Sequence, residues 1–409
     1  MKLPGLISLT PLLRWFLFTM VLANIGSQMA YAMLPLYLAD LGASVAQIGL
    51  AFSAASVVLL VLQVIGGWLS DTIGRLRAIA IGSGLATLGY FGFWLSPSWP
   101  WALLSMCVEY ISGALVAPSF GAFVAEQSSE AQRGRVFGFS QGILMLVVVI
   151  GPPLGGALAF RLGFRPMLLV AAILYTIAAA LRSWMALTIS EQRARPNPPP
   201  SLRQFRSHLG ALYTLVVSGG VLTWILITDG IRDVASRLSD ELRPLYLAQV
   251  SGLNLEQIGL LTAVAGIAMM LSMLPSGWLG DRYGERVSIV SGFGLQFAGL
   301  LLFLNVSGLA GIAGSVFVFG CGLGLVFPAY NALISKVVPE NLRGAAFGLF
   351  WTSVGFVSLP APWIGAQLWT RFNPRLPFWI TAFATLLAIW PVWTRFRRTA
   401  QPDPDLPPA

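Results

Sequence analysis

Eight charged side chains stand inside otherwise apolar sequence, and they are the groups whose placement could do chemistry. Seven crowd one stretch: Asp229, Arg232, Asp233, Arg237, Asp240, Glu241 and Arg243. The eighth, Glu109, stands alone with a long uncharged run on either side. A carboxylate removed from water is the group that proton exchange would need, and carboxylates beside guanidinium groups can exchange partners. Glu109, Asp229 and Asp233 are therefore the candidate proton carriers. The sequence contains no nucleotide-binding loop, nucleophile elbow or metal-ligand set, so no enzyme activity, no metal and no cofactor is expected.

Read as a helix at about 100° per residue, Asp229, Arg232, Asp233, Ser236, Arg237, Asp240 and Arg243 fall within an arc of roughly 140°, with Glu241 off it. Lipid cannot border that face, because a charge at the bilayer centre costs at least about 2.5 kcal/mol. Spacing of four pairs Asp233 with Arg237 and Arg237 with Glu241. The stripe is thus either a network neutralised within itself or a face turned to water, a partner helix or a ligand. The same register in the first apolar run brings Asn24, Gln28 and Tyr31 to the places of Asp233, Arg237 and Asp240. Asn24, Gln28, Tyr31, Arg232, Arg237 and Asp240 are expected to wall a cavity, neutral on one side and charged on the other.

The elements that must position these groups are membrane helices. The chain is 56% hydrophobic and 10% charged, too apolar for a soluble domain. Apolar runs of about 18 to 26 residues recur throughout, each long enough to cross the hydrocarbon layer as a helix. Twelve are expected, near 13–38, 47–69, 78–96, 100–125, 134–160, 166–188, 222–247, 257–279, 288–304, 309–335, 344–370 and 376–394. None has the inside–outside alternation of a barrel strand. The first is too long for a cleaved signal, and its Pro35-Leu36-Tyr37-Leu38-Ala39 tail returns at Pro244-Leu245-Tyr246-Leu247-Ala248.

That return is part of a repeat about 210 residues long. Gln47-Ile48-Gly49-Leu50 recurs as Gln257-Ile258-Gly259-Leu260, and Gly67-Trp68-Leu69-Ser70-Asp71 as Gly277-Trp278-Leu279-Gly280-Asp281. Pro118 matches Pro328, Arg133-Gly134 matches Arg343-Gly344, and Pro152 matches Pro362. The expected fold is all-α: two pseudo-symmetric six-helix bundles at 1–188 and 222–400, a cytoplasmic linker with a short surface helix at 189–221, and a disordered tail at 401–409. Matched halves with a site between them are one route to alternating access.

The excess of 25 Lys and Arg over 16 Asp and Glu reports topology rather than nucleic acid. Eighteen of the 25, Arg182 among them, fall on one side of the predicted spans. Arg161, Arg165, Arg371 and Arg375 fall on the other. Both termini are thus expected in the cytoplasm. Cys107 and Cys321 are not repeat counterparts and read as small apolar filler, and His208 as a solvated linker residue. No oligomerisation signal stands out, so a monomer in the bilayer is expected.

The loop after the second span carries Gly67, Asp71, Gly74, Arg75 and Arg77, with a weaker copy at Gly277, Asp281 and Gly284. It resembles the hallmark loop of the major facilitator superfamily. With twelve spans and a six-plus-six repeat, the resemblance covers nearly the whole chain. It implies a secondary transporter of a small molecule in a bacterial-type inner membrane, with spans 1, 4, 7 and 10 lining the cavity and Asp71 latching the cytoplasmic side. From the residues themselves, Gly67 and Gly277 are expected where helices approach closely, and Gly74 and Gly284 where a turn needs positive φ. Asp71 suits a helix N-terminus or an arginine. Between the copies Arg75 becomes Glu285 while Glu126 becomes Lys336. This joint change of sign predicts the pairs Arg75–Glu126 and Glu285–Lys336, which with Arg133, Lys336 and Arg343 complete the expected cytoplasmic gate.

Gly138, Gly151, Pro152, Gly155 and Gly156 in the fifth span resemble the superfamily's antiporter motif, with Val147 in place of one glycine. That resemblance implies an exporter, chiefly of the drug/proton antiporter kind, with protons as the coupling ion. Proline removes a helix hydrogen bond, and the glycines should permit close packing. Glu109, four residues before Gly113, occupies a place where such exporters often carry arginine, so the coupling group here would be a carboxylate. A nutrient symporter or facilitator, and a transporter-like receptor that moves nothing, are the alternative readings.

Overall fold

The computed structural model describes residues 10–130, 132–188, 221–337 and 355–396. These residues fold as helices and short connections. α1 spans Pro11–Asp40, α2 Val45–Ile73, α3 Arg75–Leu95, α4 Trp99–Glu126, α5 Arg133–Leu162 and α6 Phe164–Thr188. α7 spans Val221–Ser239, α8 Arg243–Gln249, α9 Leu255–Tyr283, α10 Glu285–Asn305, α11 Gly308–Val337, α12 Ala361–Arg371 and α13 Leu376–Arg395. Ten of them are long and apolar enough to cross a membrane. The predicted linker, the tail, Arg343 and much of the eleventh predicted span lie outside the described residues.

The repeat is written into the helix ends. Ser44 and Gln47 form a reciprocal capping box at the start of α2, with Gln47 N to Ser44 Oγ at 3.3 Å and Ser44 N to Gln47 Oε1 at 2.8 Å. Asn254 and Gln257, their counterparts, form the same box before α9 at 2.9 and 3.0 Å. Gly74 and Gly284 then part α2 from α3 and α9 from α10 at φ of 99° and 90°, as expected of a turn that a side chain would strain.

Burial follows the same register. Met167, Leu168, Ala171, Ala172, Tyr175, Ala178 and Arg182 are the buried face of α6. Residues 210 further on, Pro377, Phe378, Thr381, Ala382, Thr385, Ala388 and Val392, are the buried face of α13. α1 and α7 correspond at an offset of 209, so that buried Thr19 matches buried Thr228 and buried Met20 matches buried Asp229.

Contacts divide the chain into two compact units: residues up to 197 with Leu242–Ala263, and the remainder. In the first, Phe16, Ile79, Phe123 and Val124 anchor a core where α1, α3 and α4 meet. In the second, their counterparts Ile225, Ile289, Leu333 and Ile334 anchor another.

One predicted element is corrected. The seventh span is not a continuous helix: α7 ends at Ser239, residues 240–242 form a turn, and α8 restarts at Arg243. Pro244 has no N–H to offer the Asp240 carbonyl, and Ser239 Oγ instead bonds Ser236 O at 3.1 Å and Thr381 Oγ1 at 3.0 Å. The single helical stripe therefore stops at Arg237. Asp240 and Glu241 lie in the turn, and Arg243 opens the next helix.

Candidate functional site

In the second unit, α7 carries two ion pairs one turn apart. Asp229 Oδ1 accepts from Arg232 Nη2 at 2.7 Å and from its Nε at 3.0 Å. Asp229 is buried, and the Arg232 guanidinium also lies 6.0 Å from the centre of the Phe293 ring. Asp233 Oδ2 accepts from Arg237 Nε at 3.0 Å and from Ser358 Oγ at 2.6 Å. The Asp233–Arg237 pair was expected from its spacing, whereas Asp229–Arg232 and the part of Ser358 were not. Asp240 is exposed in the turn.

In the first unit, Asn24 and Gln28 are partly buried on α1, and Asn24 Nδ2 donates to the Met20 carbonyl at 2.8 Å. Tyr31, on the same helix, is 47% exposed. Glu109 sits partly buried in α4, where Gly89 of α3 leaves room for its Cβ. Its carboxylate has no hydrogen-bond or ion-pair partner among the described residues. The Tyr90 and Tyr175 hydroxyls are close enough to feel its charge, and their rings lie 5.0 Å apart.

Beyond Tyr175 lies a residue that the charge count misplaced. Arg182 is not a solvated charge at a helix end: it is 2% exposed, inside the first unit. Its Nε donates to Thr19 Oγ1 at 3.2 Å, its Nη1 to Ser83 Oγ at 2.8 Å, and its Nη2 to Thr19 O at 3.5 Å. The helical register held the missed signal, since Arg182 continues the buried row of Met167, Ala171, Tyr175 and Ala178 and matches apolar Val392.

At the helix ends near Gly74 and Gly284, both inferred ion pairs are formed. Arg75 Nε donates to Glu126 Oε1 at 3.2 Å, and Lys336 Nζ to Glu285 Oε1. Asp71 also pairs with Arg75, whose Nη1 donates to Ser70 Oγ at 3.1 Å. Arg77, Arg133 and Asp281 are exposed.

The sequence matches the model of the Major Facilitator Superfamily over residues 16–231 and 242–409. The chain belongs to that superfamily. It is 28% identical to a multi-drug resistance efflux pump PmrA homolog of Lactococcus lactis, covering 82% of this chain and 84% of that one. It is 25% identical to the multidrug resistance protein MdtG of Proteus mirabilis, covering 92% and 93%. Among solved structures, a nucleoside transporter, NupG, superposes with a TM-score of 0.78 at 13% identity, covering 94% of this chain and 100% of that one. A peptide transporter, POT, superposes with a TM-score of 0.72 at 15% identity, covering 94% and 93%. The chain is thus a multi-pass membrane transporter and not an enzyme.

Its superfamily-like glycines divide into two groups. A methyl group at Gly151 would meet the Gln28 side chain, at Gly155 the Met29 carbonyl, and at Gly156 the Leu255 carbonyl. All three let α5 pack closely, as expected. Gly138 has open space, and so do Gly67 and Gly277, which corrects their expected part in close helix approach. The contact is made one residue earlier, where Gly66 rests on the Ala114 carbonyl. Its counterpart Ser276 donates to the Leu325 carbonyl at 2.7 Å.

Proposed function

We propose that this transporter is a proton-coupled exporter of small amphipathic cations. It would work by alternating access in a bacterial plasma membrane, with both termini in the cytoplasm. The observation that carries the coupling is Glu109. It is the carboxylate within the apolar helices of the first unit that has no cation or hydrogen-bond donor among the described residues, whereas Asp229 and Asp233 each hold an arginine. A group that must take up and release a proton every cycle works best without a permanent partner. The close-packed α5 glycines and relatives named as multidrug efflux pumps support export. On this reading the loop of Asp71, Arg75 and Glu126, with Glu285 and Lys336, braces the cytoplasmic ends of the helices during the cycle.

Inside-out vesicles with an acidic lumen test the proposal. The wild type should accumulate the cationic dye ethidium as the gradient runs down, and Glu109→Gln should leave only gradient-independent uptake. Undiminished gradient-driven uptake by Glu109→Gln would remove Glu109 as the coupling group.

A further inference from the structure

The second half of α13 turns an apolar row outward. Phe383, Leu386, Leu387, Trp390 and Trp393 are all exposed, at spacings that put them on one side of the helix. From Phe383 to Trp393 the row advances about 15 Å at roughly 1.5 Å per residue, half of the roughly 30 Å hydrocarbon layer. The acyl chain of a lipid in one leaflet spans the same distance.

The row ends on a cation. The Arg286 guanidinium of α10 lies 4.2 Å from the centre of the exposed Trp393 ring, and its Nη1 donates to the Trp393 carbonyl at 3.2 Å. Stacking occupies the face of a guanidinium and leaves its remaining N–H groups in the plane, where they can bond a phosphate. Two residues beyond Trp393, the Arg395 guanidinium lies 4.8 Å from the centre of the Trp224 ring of α7. A third, Arg282 in the last turn of α9, stands 5.4 Å from the centres of the Trp278 and Tyr283 rings. None of the three forms an ion pair among the described residues. Of the neighbouring carboxylates in the sequence, Glu285 is held by Lys336, which leaves the exposed Asp281 against three guanidinium groups.

The first copy supplies an internal control. α6 corresponds to α13 and also turns apolar side chains outward, with Ile173 and Ile177 at the places of Phe383 and Leu387. Its end lacks the cations. Arg286 corresponds to Leu76 and Arg395 to Met185, both buried, and Trp393 corresponds to Ser183. The apolar row is common to both copies, as any lipid-facing helix requires. The stacked arginines belong to the second copy alone, and contact with acyl chains does not call for them.

We propose that the end of α13 binds one anionic phospholipid, with an acyl chain along the row from Phe383 to Trp393 and the headgroup phosphate against Arg286 and Arg395. A headgroup with its own ammonium, such as that of phosphatidylethanolamine, would bring a further cation among guanidinium groups that already outnumber their carboxylate. Phosphatidylglycerol brings none and is preferred. The bound lipid braces the second unit where α10 and α7 meet α13, and the first unit has no equivalent.

Native mass spectrometry of the detergent-purified full-length protein tests this, with dioleoylphosphatidylglycerol and dioleoylphosphatidylethanolamine as probes. One phosphatidylglycerol should stay bound at collision energies that strip phosphatidylethanolamine. Arg286→Gln and Arg395→Gln should each weaken phosphatidylglycerol binding about fivefold, the scale of one basic residue at an anionic surface. Trp393→Leu, which keeps the row apolar and removes the stack, should also weaken it, and decides the matter if an arginine variant fails to fold. Arg14→Gln combined with Arg135→Gln removes exposed cations from the first unit and should leave binding unchanged. Equal retention of the two lipids would overturn the inference, because the headgroup would then not be recognised. An equal loss in the Arg14 and Arg135 variant would overturn it in favour of diffuse attraction. A dimer that Arg286→Gln dissociates would overturn it in favour of a second copy of this chain on the same face.

Discussion

Glu285 of α10 accepts a hydrogen bond from Lys336 of α11, at the positions where the first copy carries Arg75 and Glu126 with the signs exchanged. A pair whose polarity reverses between copies, while both partners stay in contact, depends on attraction rather than on either residue type. Reversing one sign should therefore harm, and reversing both should repair. Glu126→Lys, which sets two cations against each other, should lower the unfolding temperature of the detergent-purified protein by a few degrees. Arg75→Glu combined with Glu126→Lys should recover part of that loss, the remainder being held back by Asp71, which pairs with Arg75 and would face the new carboxylate. The Glu126 side chain is 42% exposed, so the effect belongs to the roughly 0.2–1 kcal/mol range of solvent-screened pairs.

The two copies also share a backbone contact that no side chain could survive. Gly155 of α5 rests on the Met29 carbonyl of α1, and Gly365 of α12, its counterpart, rests on the Leu238 carbonyl of α7, the counterpart of Met29. Gly155→Ala and Gly365→Ala should each cost about 1–3 kcal/mol through forced separation of the helices. Gly67→Ala and Gly277→Ala, which meet open space inside helices, should leave thermal unfolding unchanged or raise it slightly. A loss at Gly67 equal to that at Gly155 would contradict the packing described.

Much of this fold was legible because the chain states it twice. The repeated Gln47 and Gln257 mark equivalent capping boxes, Gly74 and Gly284 mark equivalent turns, and the sign exchange at Arg75 and Glu126 gave two contacts that composition could not. Legibility failed where a rule assumed what only packing decides. A count of flanking charges reads Arg182 as a membrane-edge residue because it lies near the end of a span, yet the buried row of α6 carries it inwards. A helical wheel run through Pro244 kept Asp240 and Arg243 on the α7 stripe, although the chain turns before reaching them. Gly67 is one residue from Gly66, about 100° around the helix, and sequence pattern alone does not say which of the two faces α4.

Gln296 of α10 is 1% exposed, and its Nε2 has no hydrogen-bond partner among the described residues. The equivalent position in the first copy is Ala86, which is buried and apolar. A buried donor left unmade costs about 1–3 kcal/mol, so Gln296→Met, close in shape and without the amide, should raise the unfolding temperature. A lower temperature would mean that the amide has a role the fold alone does not require.

The Asp229–Arg232 pair sets a different balance. Both partners lie within the second unit, with side-chain exposures of 9% and 15%, so removing one leaves the other charged and buried. Asp229→Leu and Arg232→Met should each cost about 3–5 kcal/mol, whereas the double variant should recover most of that, since an apolar replacement of a whole buried pair is often neutral. Denaturation of the four proteins gives the coupling energy directly. Transport then separates structure from mechanism. If the pair only fills and neutralises the interior, the double variant should move ethidium at the wild-type rate. If it is folded and stable but transports nothing, the pair contacts the cargo or the moving proton, and the coupling assigned to Glu109 would have to be shared with α7.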